Sequence, residues 1–256
     1  MLKRMVCLSV GVLLMALPVR GHHAQEFIAI ESYSTIDQGT WLFHLHYDYI
    51  APDKNDAQLD RWEITPGLSW GVTDRLLLDA HTHYAKFGVG HVVEEQQDAY
   101  APDGPPPFFE AVSFTLHYRW LETRWLNVAV SAAVELPFSR AKRLLDAEEV
   151  YAGNLILEHT FGRHGSLTLN LMCELEDGEE EWSYGLGIKN PISADPHGIA
   201  AGIEWLGEFD DFEDSWSIVP GLYFPLGTPD TIFKFGAEIG SNMDYTRARL
   251  SLLYNF

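Results

Sequence analysis

Along most of this chain, apolar and polar side chains alternate position by position. In Thr40–Ile50, Trp41, Phe43, Leu45, Tyr47 and Tyr49 share one face, and His44, His46 and Asp48 share the other. Arg61–Gly71 sets Trp62, Ile64, Pro66, Leu68 and Trp70 against Glu63, Thr65, Gly67 and Ser69. Leu76–Phe87 sets Leu78, Ala80, Thr82 and Tyr84 against Asp79, His81 and His83. A period of two belongs to a strand with one dry and one wet face. The pattern recurs near 109–120, 125–136, 150–161, 166–176, 182–190, 198–207, 215–224, 231–240 and 244–256, which makes twelve strands in all. Each is roughly ten residues, the length a tilted strand needs to cross a bilayer. No helical period of useful length competes; at most, Arg140–Glu149 forms one helical turn in a loop.

The connections divide into two kinds. Val72–Arg75, Leu121–Arg124, Gly162–Gly165, Asn190–His197 and Pro225–Asp230 are short, whereas Ala51–Asp60, Gly88–Phe108 and Pro137–Glu149 are long and polar. Asp177–Glu181 and Ser241–Met243 are the two short members of the second set. Alternating short and long loops are those of outer-membrane barrels, with short turns on the periplasmic side. The large aromatics fall into two belts. Tyr49, Trp62, Tyr84, Tyr151, Trp182, Trp205 and Trp216 lie near one set of strand ends, and Trp41, Trp70, Trp120, Phe161, Phe224, Phe233, Tyr254 and Phe256 lie near the other. Interfacial anchoring predicts such belts, whereas a soluble sandwich concentrates its aromatics in the core. The expected fold is an all-β, twelve-stranded antiparallel transmembrane β-barrel of the outer-membrane type, spanning residues 40–256, with short periplasmic turns. The strand ending at Phe256 then closes the sheet against the first. Its Ala248–Phe256 pattern resembles the C-terminal signal read by the barrel-assembly machinery of Gram-negative bacteria.

The first residues follow another pattern. Lys3 and Arg4 precede an apolar run, Met5–Leu17, that Pro18 ends, and Val19 and Gly21 suit a cleavage site. Residues 1–21 therefore read as a secretory signal peptide, too short for a spanning helix. Residues 22–39 remain. Phe27, Ile28, Ile30 and Tyr33 invite a thirteenth strand, but an odd count would put the two barrel ends on opposite sides. The segment is expected as a periplasmic lead-in or a lumen plug.

Charge narrows the partners. The 256-residue chain carries 17 Lys+Arg against 37 Asp+Glu, a formal charge of −20, and loss of residues 1–21 makes this −23. Phosphate binding needs a basic face, so nucleic acid is not an expected partner. Mean hydropathy is near neutral at −0.09, which is too low for a bundle of membrane helices but suits a barrel. Cys7 lies in the signal segment, so Cys173 is left without an internal disulfide partner.

The stretch Ile64–Leu78 carries Pro66, Gly67, Leu68, Trp70 and Gly71 leading into Thr73, Asp74 and Arg75. It resembles a strand–turn–strand that recurs in outer-membrane transporters grouped loosely with the meta-pathway phenol-degradation family. The resemblance covers about fifteen residues plus the general strand pattern. It implies a barrel and an outer-membrane location, and it carries over no binding residue.

The predicted inner face is polar. It holds His44, His46, Asp48, Glu63, Asp79, His81, His83, His117, Arg119, Asn127, Glu135, Asn154, Glu158, Asn170, Glu174, Lys189, Glu204, Lys234, Glu238, Arg247 and Arg249. Such a wall suits a hydrated lumen with cross-strand charge pairs and equally a pore whose charge selects solutes. His44, His46, His81 and His83 fall on one inward patch, with His117 one strand on and Asp48 and Asp79 beside them. Paired imidazoles near carboxylates are ligands for zinc, copper or nickel. His22 and His23 offer a further pair, and the acidic Asp177–Glu181 loop offers a divalent-ion site at the lipopolysaccharide surface. No lipid-facing Ser–His–acid group is evident, so an enzyme is not expected. The expected function is a passive outer-membrane channel or transporter for small solutes, favouring cationic or neutral ones, embedded in outer-membrane lipid and lipopolysaccharide and needing no cofactor. A divalent-metal-binding barrel and a closed structural barrel are the alternatives.

Overall fold

The computed structural model describes residues 27–51, 60–87, 108–138, 148–162, 165–193, 198–209, 216–226, 228–241 and 246–256. The signal segment, His22 and His23, most of Gly88–Phe108 and residues 140–147 lie outside this set.

Twelve antiparallel strands form one closed barrel. They are β1 (Trp41–Ala51), β2 (Arg61–Thr73), β3 (Leu76–Phe87), β4 (Phe108–Glu122), β5 (Asn127–Pro137), β6 (Val150–Phe161), β7 (Gly165–Glu176), β8 (Glu179–Pro191), β9 (Ala200–Glu208), β10 (Trp216–Leu226), β11 (Thr228–Gly240) and β12 (Thr246–Asn255). Each strand pairs with its sequence neighbours, and β12 returns to β1, from Leu42↔Asn255 to Ala51↔Thr246. Trp41 and Phe256 exchange backbone hydrogen bonds of 3.0 and 2.9 Å at the end of this seam. Closure leaves no edge strand, as a sheet in lipid requires. No helix long and apolar enough to cross a membrane occurs among the described residues.

The expected alternation holds at side-chain level. In β1, Trp41, Phe43, Tyr47 and Tyr49 are exposed, while His44 and Asp48 are buried. The outward aromatics pair across strands at both ends. Trp41 stacks on Trp70 at 5.7 Å, while Trp62 meets Tyr84 at 5.4 Å and Trp205 meets Trp216 at 6.1 Å at the opposite end.

Several boundaries differ from the sequence expectation. Strand β8 starts at Glu179 instead of 182, so Asp177–Glu181 is not an acidic loop. Asp177 and Gly178 form a tight turn with φ of 46° and 84°, and Glu179–Glu181 pair with Glu174–Glu176. An Asp-Gly pair suits the left-handed positions of a two-residue hairpin, and this local chemistry outweighs the charge run. Strand β4 extends to Glu122 and β5 begins at Asn127, because Thr123 caps the turn through its hydroxyl, bonded to the Leu126 carbonyl at 2.7 Å. Strand β11 begins at Thr228, opposite a bulge at Pro225/Leu226, and so shortens the Pro225–Asp230 connection.

Residues 27–40 form no strand. Their side chains Phe27, Ile28, Ile30, Tyr33 and Ile36 are buried, and their partners are inward-facing residues around the wall, including Leu42 of β1, Leu77 of β3 and Leu253 of β12 beside Ile36. The segment therefore lies inside the barrel, running from mid-wall at Ile28, beside Glu204 and Arg249, toward the short-turn end at Ile36, beside Leu42 and Leu253.

Candidate functional site

The inner wall sorts into three groups of contacts. The first receives residues 27–37. Glu204, 1% exposed, accepts three consecutive backbone N–H groups: Ile28 at 2.7 Å, Ala29 at 2.8 Å and Ile30 at 3.0 Å. Successive backbone donors of this kind form a concave anion seat. Lys234 donates to the Phe27 carbonyl at 3.2 Å and Arg249 to that of Ile28 at 2.9 Å. Asn170 bonds both the N–H and the C=O of Glu31, as an adjoining strand would. Glu158, His117 and Asp74 continue the contacts to Tyr33 and Thr35. Lys189 stands 4.7 Å from the Phe27 ring and 5.0 Å from that of Tyr223. Gly185, Gly187, Gly221 and Gly236 face the same segment. A Cβ on Gly187 would come within 2.7 Å of Ile30 and Phe27, and one on Gly221 or Gly236 within 2.6 Å of Ile28. The wall lacks side chains where the segment's apolar residues press against it.

The second group is the β12–β1–β2 seam toward the long-loop end. Asp48, 1% exposed, accepts from Arg249 Nε at 2.7 Å, Arg249 Nη2 at 2.9 Å and Arg247 Nη2 at 2.8 Å. Glu63 pairs with Arg61 at 2.9 Å and approaches Arg247 at 3.8 Å. Bidentate guanidinium–carboxylate geometry suits this closure, because it joins the first strand to the last with directional charge-assisted bonds.

The third group is the histidine patch. His44 on β1 and His81 on β3 both bond Asp79, through His44 Nε2 at 2.7 Å and His81 Nδ1 at 2.6 Å. Ser69 on β2 donates to the same carboxylate at 2.6 Å. His46 Nε2 lies 3.2 Å from His44 Nδ1, and its other nitrogen lies 2.8 Å from Ser251 Oγ. His83 pairs with Glu135 at 3.1 Å and lies 4.8 Å, ring to ring, from His81. Strand β2 stands between the two histidine strands, and at that register it carries Gly67, opposite both His44 and His81. A Cβ at residue 67 would overlap the His44 ring, so this glycine lets the imidazole cross to β3. His117 is separate. It bonds the Tyr33 carbonyl at 3.2 Å and lies 3.4 Å from Glu31.

The candidates read from alternation thus divide by role. Glu158, Arg119, His117, Lys189, Glu204, Lys234 and Arg249 meet residues 27–37 or the turn that holds them; Arg119 bonds the Asp74 carbonyl. Asp48, Glu63, Arg247 and Arg249 form the seam, and His44, His46, Asp79, His81 and His83 form the patch. Glu174 faces Glu181, and Glu176 faces Glu179, on one side of the β7–β8 hairpin at the long-loop end. Sequence reasoning put Gly67 and Ser69 on the polar face of β2 without giving them a role, and it missed Ser251 and the glycines that face residues 27–30. The available signal was small residues at inward positions of strands whose outward positions are large.

No protein-family model and no curated protein matches the chain. Among solved structures, the KdgM porin in complex with disordered oligogalacturonate superposes with a TM-score of 0.59 at 10% identity, covering 84% of this chain and 99% of that one. The COG4313 outer membrane channel from Pseudomonas putida F1 superposes at 0.56 with 12% identity, covering 88% and 98%. At such identities the likeness shows the fold, and both folds are outer-membrane barrels.

Proposed function

We propose that this chain is a passive outer-membrane channel for small solutes in a Gram-negative bacterium, narrowed by its own residues 27–40. The observation that carries the reading is a closed twelve-stranded barrel whose outer wall is apolar with two aromatic belts and whose inner wall carries the buried charged residues Asp48, Arg119, Glu158, Lys189, Glu204 and Lys234. A polar lumen inside an apolar wall is what a solute path through a bilayer needs. The solved neighbours named as a porin and a channel support it by fold alone, and the oligogalacturonate belongs to the porin that bound it. The outward belts meet outer-membrane lipid and lipopolysaccharide, the short turns face the periplasm, and β12 is the strand offered to the assembly machinery.

Cations are the preferred charge class. The four lumen-side carboxylates Glu174, Glu176, Glu179 and Glu181 stand in like-charged pairs at the long-loop mouth, and like charges across a ladder lower stability. Attraction for incoming cations gives that cost a use. Recording in planar bilayers under a salt gradient tests both parts: a reversal potential of anion-selective sign removes the preference. No conductance in wild type or in a variant lacking residues 27–36 removes the channel. Conductance only in the deletion would establish the second reading, a barrel closed at rest, which the Glu204 contacts favour.

A further inference from the structure

The geometry points to a transition-metal site on the lumen wall, with His44 Nε2, His81 Nδ1 and one Asp79 oxygen as ligands for a zinc-like divalent ion. The three ligand atoms lie within 4.8 Å of one another. A tetrahedral zinc site with bonds of about 2.0–2.1 Å needs them about 3.4 Å apart. His44 meets Asp79 Oδ2 at 2.7 Å and His81 meets Oδ1 at 2.6 Å, so on loading the contact to the liganding oxygen opens by less than about 1 Å and the widest ligand pair closes by at most about 1.4 Å. Two imidazoles and one carboxylate select zinc, copper or nickel over calcium or magnesium, which take oxygen ligands. One or two positions remain open to the lumen for water or a solute atom.

Three further observations set this group apart from a chance cluster. Gly67 clears the path by which the His44 ring crosses β2, so the wall is shaped for the contact. Ser69 donates to Asp79 Oδ2, the oxygen that also meets His44, and so keeps the carboxylate anchored when it exchanges a hydrogen bond for a metal bond. Ser251, His46 and His44 form a chain that can run either way. In the hydrogen-bonded form, Ser251 donates to His46 Nδ1, His46 Nε2–H donates to His44 Nδ1, and His44 Nε2–H donates to Asp79. For His44 Nε2 to take a metal, its proton must sit on Nδ1. It then donates to His46 Nε2, and His46 Nδ1–H donates to Ser251, whose hydroxyl accepts as readily as it donates. His81 likewise moves its proton from Nδ1 to Nε2. With neutral imidazoles no proton is lost, so loading is a change of tautomers. His46 is thus a positioning residue for His44 and not a ligand.

The site rests on barrel geometry and not on conduction, so it can fail while the channel stands. The test is titration of the folded mature barrel in detergent with Zn²⁺ by calorimetry, and with Co²⁺ by visible absorption. We expect one equivalent with a tetrahedral Co²⁺ spectrum and at least a hundredfold loss of affinity in His44→Ala/His81→Ala. Asp79→Asn, nearly isosteric, should lose the Co²⁺ band while keeping the heat-modifiable gel mobility of a folded barrel. His46→Ala should weaken binding by about tenfold, the scale of an orienting partner. His117→Ala should leave it unchanged. Absence of binding in wild type overturns the site. So does full affinity in both the double variant and Asp79→Asn, which would hand the metal to other histidines. If the double variant fails to fold, Asp79→Asn alone decides.

Discussion

Replacing Glu204 with Gln removes a charge from the floor of the seat for residues 27–37 with little change of shape. In the native arrangement Oε1 accepts from Ile28, and Oε2 accepts from both Ala29 and Ile30. The amide keeps one acceptor oxygen; placed where Oε2 was, it keeps the bonds to Ala29 and Ile30, and its NH₂ group faces the Ile28 N–H, so one of three bonds is lost. Hydrogen bonds to a charged group contribute about 1.5–3 kcal/mol each. The docked segment should thus lose about 1.5–3 kcal/mol, and at 1.4 kcal/mol per tenfold its docked-to-released ratio falls by about 10–10². Lys234, fully buried beside the seat, then loses the nearby charge of Glu204 and adds to the loss. Hydrogen–deuterium exchange reads this directly, since the three N–H groups exchange only when released. The peptide carrying residues 28–30 should exchange at least about tenfold faster in Glu204→Gln, while β1 and β12 peptides keep their protection. Unchanged protection at 28–30 in a folded variant would refute the seat.

Three other outcomes follow from the same geometry. Gly236→Val places a side chain where the closest approach to Ile28 is 2.6 Å; conductance should rise toward that of the deletion of residues 27–36, with the barrel still folded, and an unaltered conductance would count against displacement. Asp48→Ala removes the carboxylate that Arg247 and Arg249 share at the β1–β12 seam, and breaking one side of a buried pair costs about 3–5 kcal/mol; urea unfolding in lipid vesicles should show a loss near the lower figure, because the arginines are partly solvated and keep other contacts. Phe114→Arg puts a charge near mid-strand on the outer wall, where Phe114 is 48% exposed. A depth-dependent penalty of about 2–4 kcal/mol is expected at the midplane. A neutral effect in the same assay would mean that this face does not meet lipid.

Much of this architecture was legible because a barrel in lipid obeys a strict alternation. Once Trp41 and Tyr49 were assigned outward, His44 and Asp48 had no other face to occupy, and the same parity carried through all twelve strands. Boundaries were less legible, because they depend on turn chemistry. Asp177-Gly178 is a two-residue turn signal that a run of glutamates concealed, and Thr123 moved a turn by capping it. Parity also grouped the four patch histidines, but it could not rank them. Asp79 chooses His44 and His81 through a diagonal across β2 that depends on Gly67, and a one-dimensional pattern does not carry diagonals. His117 faced the correct way and still joined another group, since Tyr33 lies on a segment with no strand parity. The seat for residues 27–37 was the least legible part, because its determinants, Gly185, Gly187, Gly221 and Gly236, act through what they lack.

The seat also imposes an order of assembly. Ile28 precedes the start of β1 at Trp41 by 13 residues, yet its partners Glu204 and Arg249 lie 176 and 221 positions later in the chain. Contacts of such separation form late, since closing long loops comes before any contact repays it. During assembly the charges of Glu204 and Lys234 must stay near water until residues 27–30 arrive. A barrel that closed without them would bury an acid and a base with their backbone partners missing. The segment is therefore a test of completion: its docking reports that β9, β11 and β12 have all reached register.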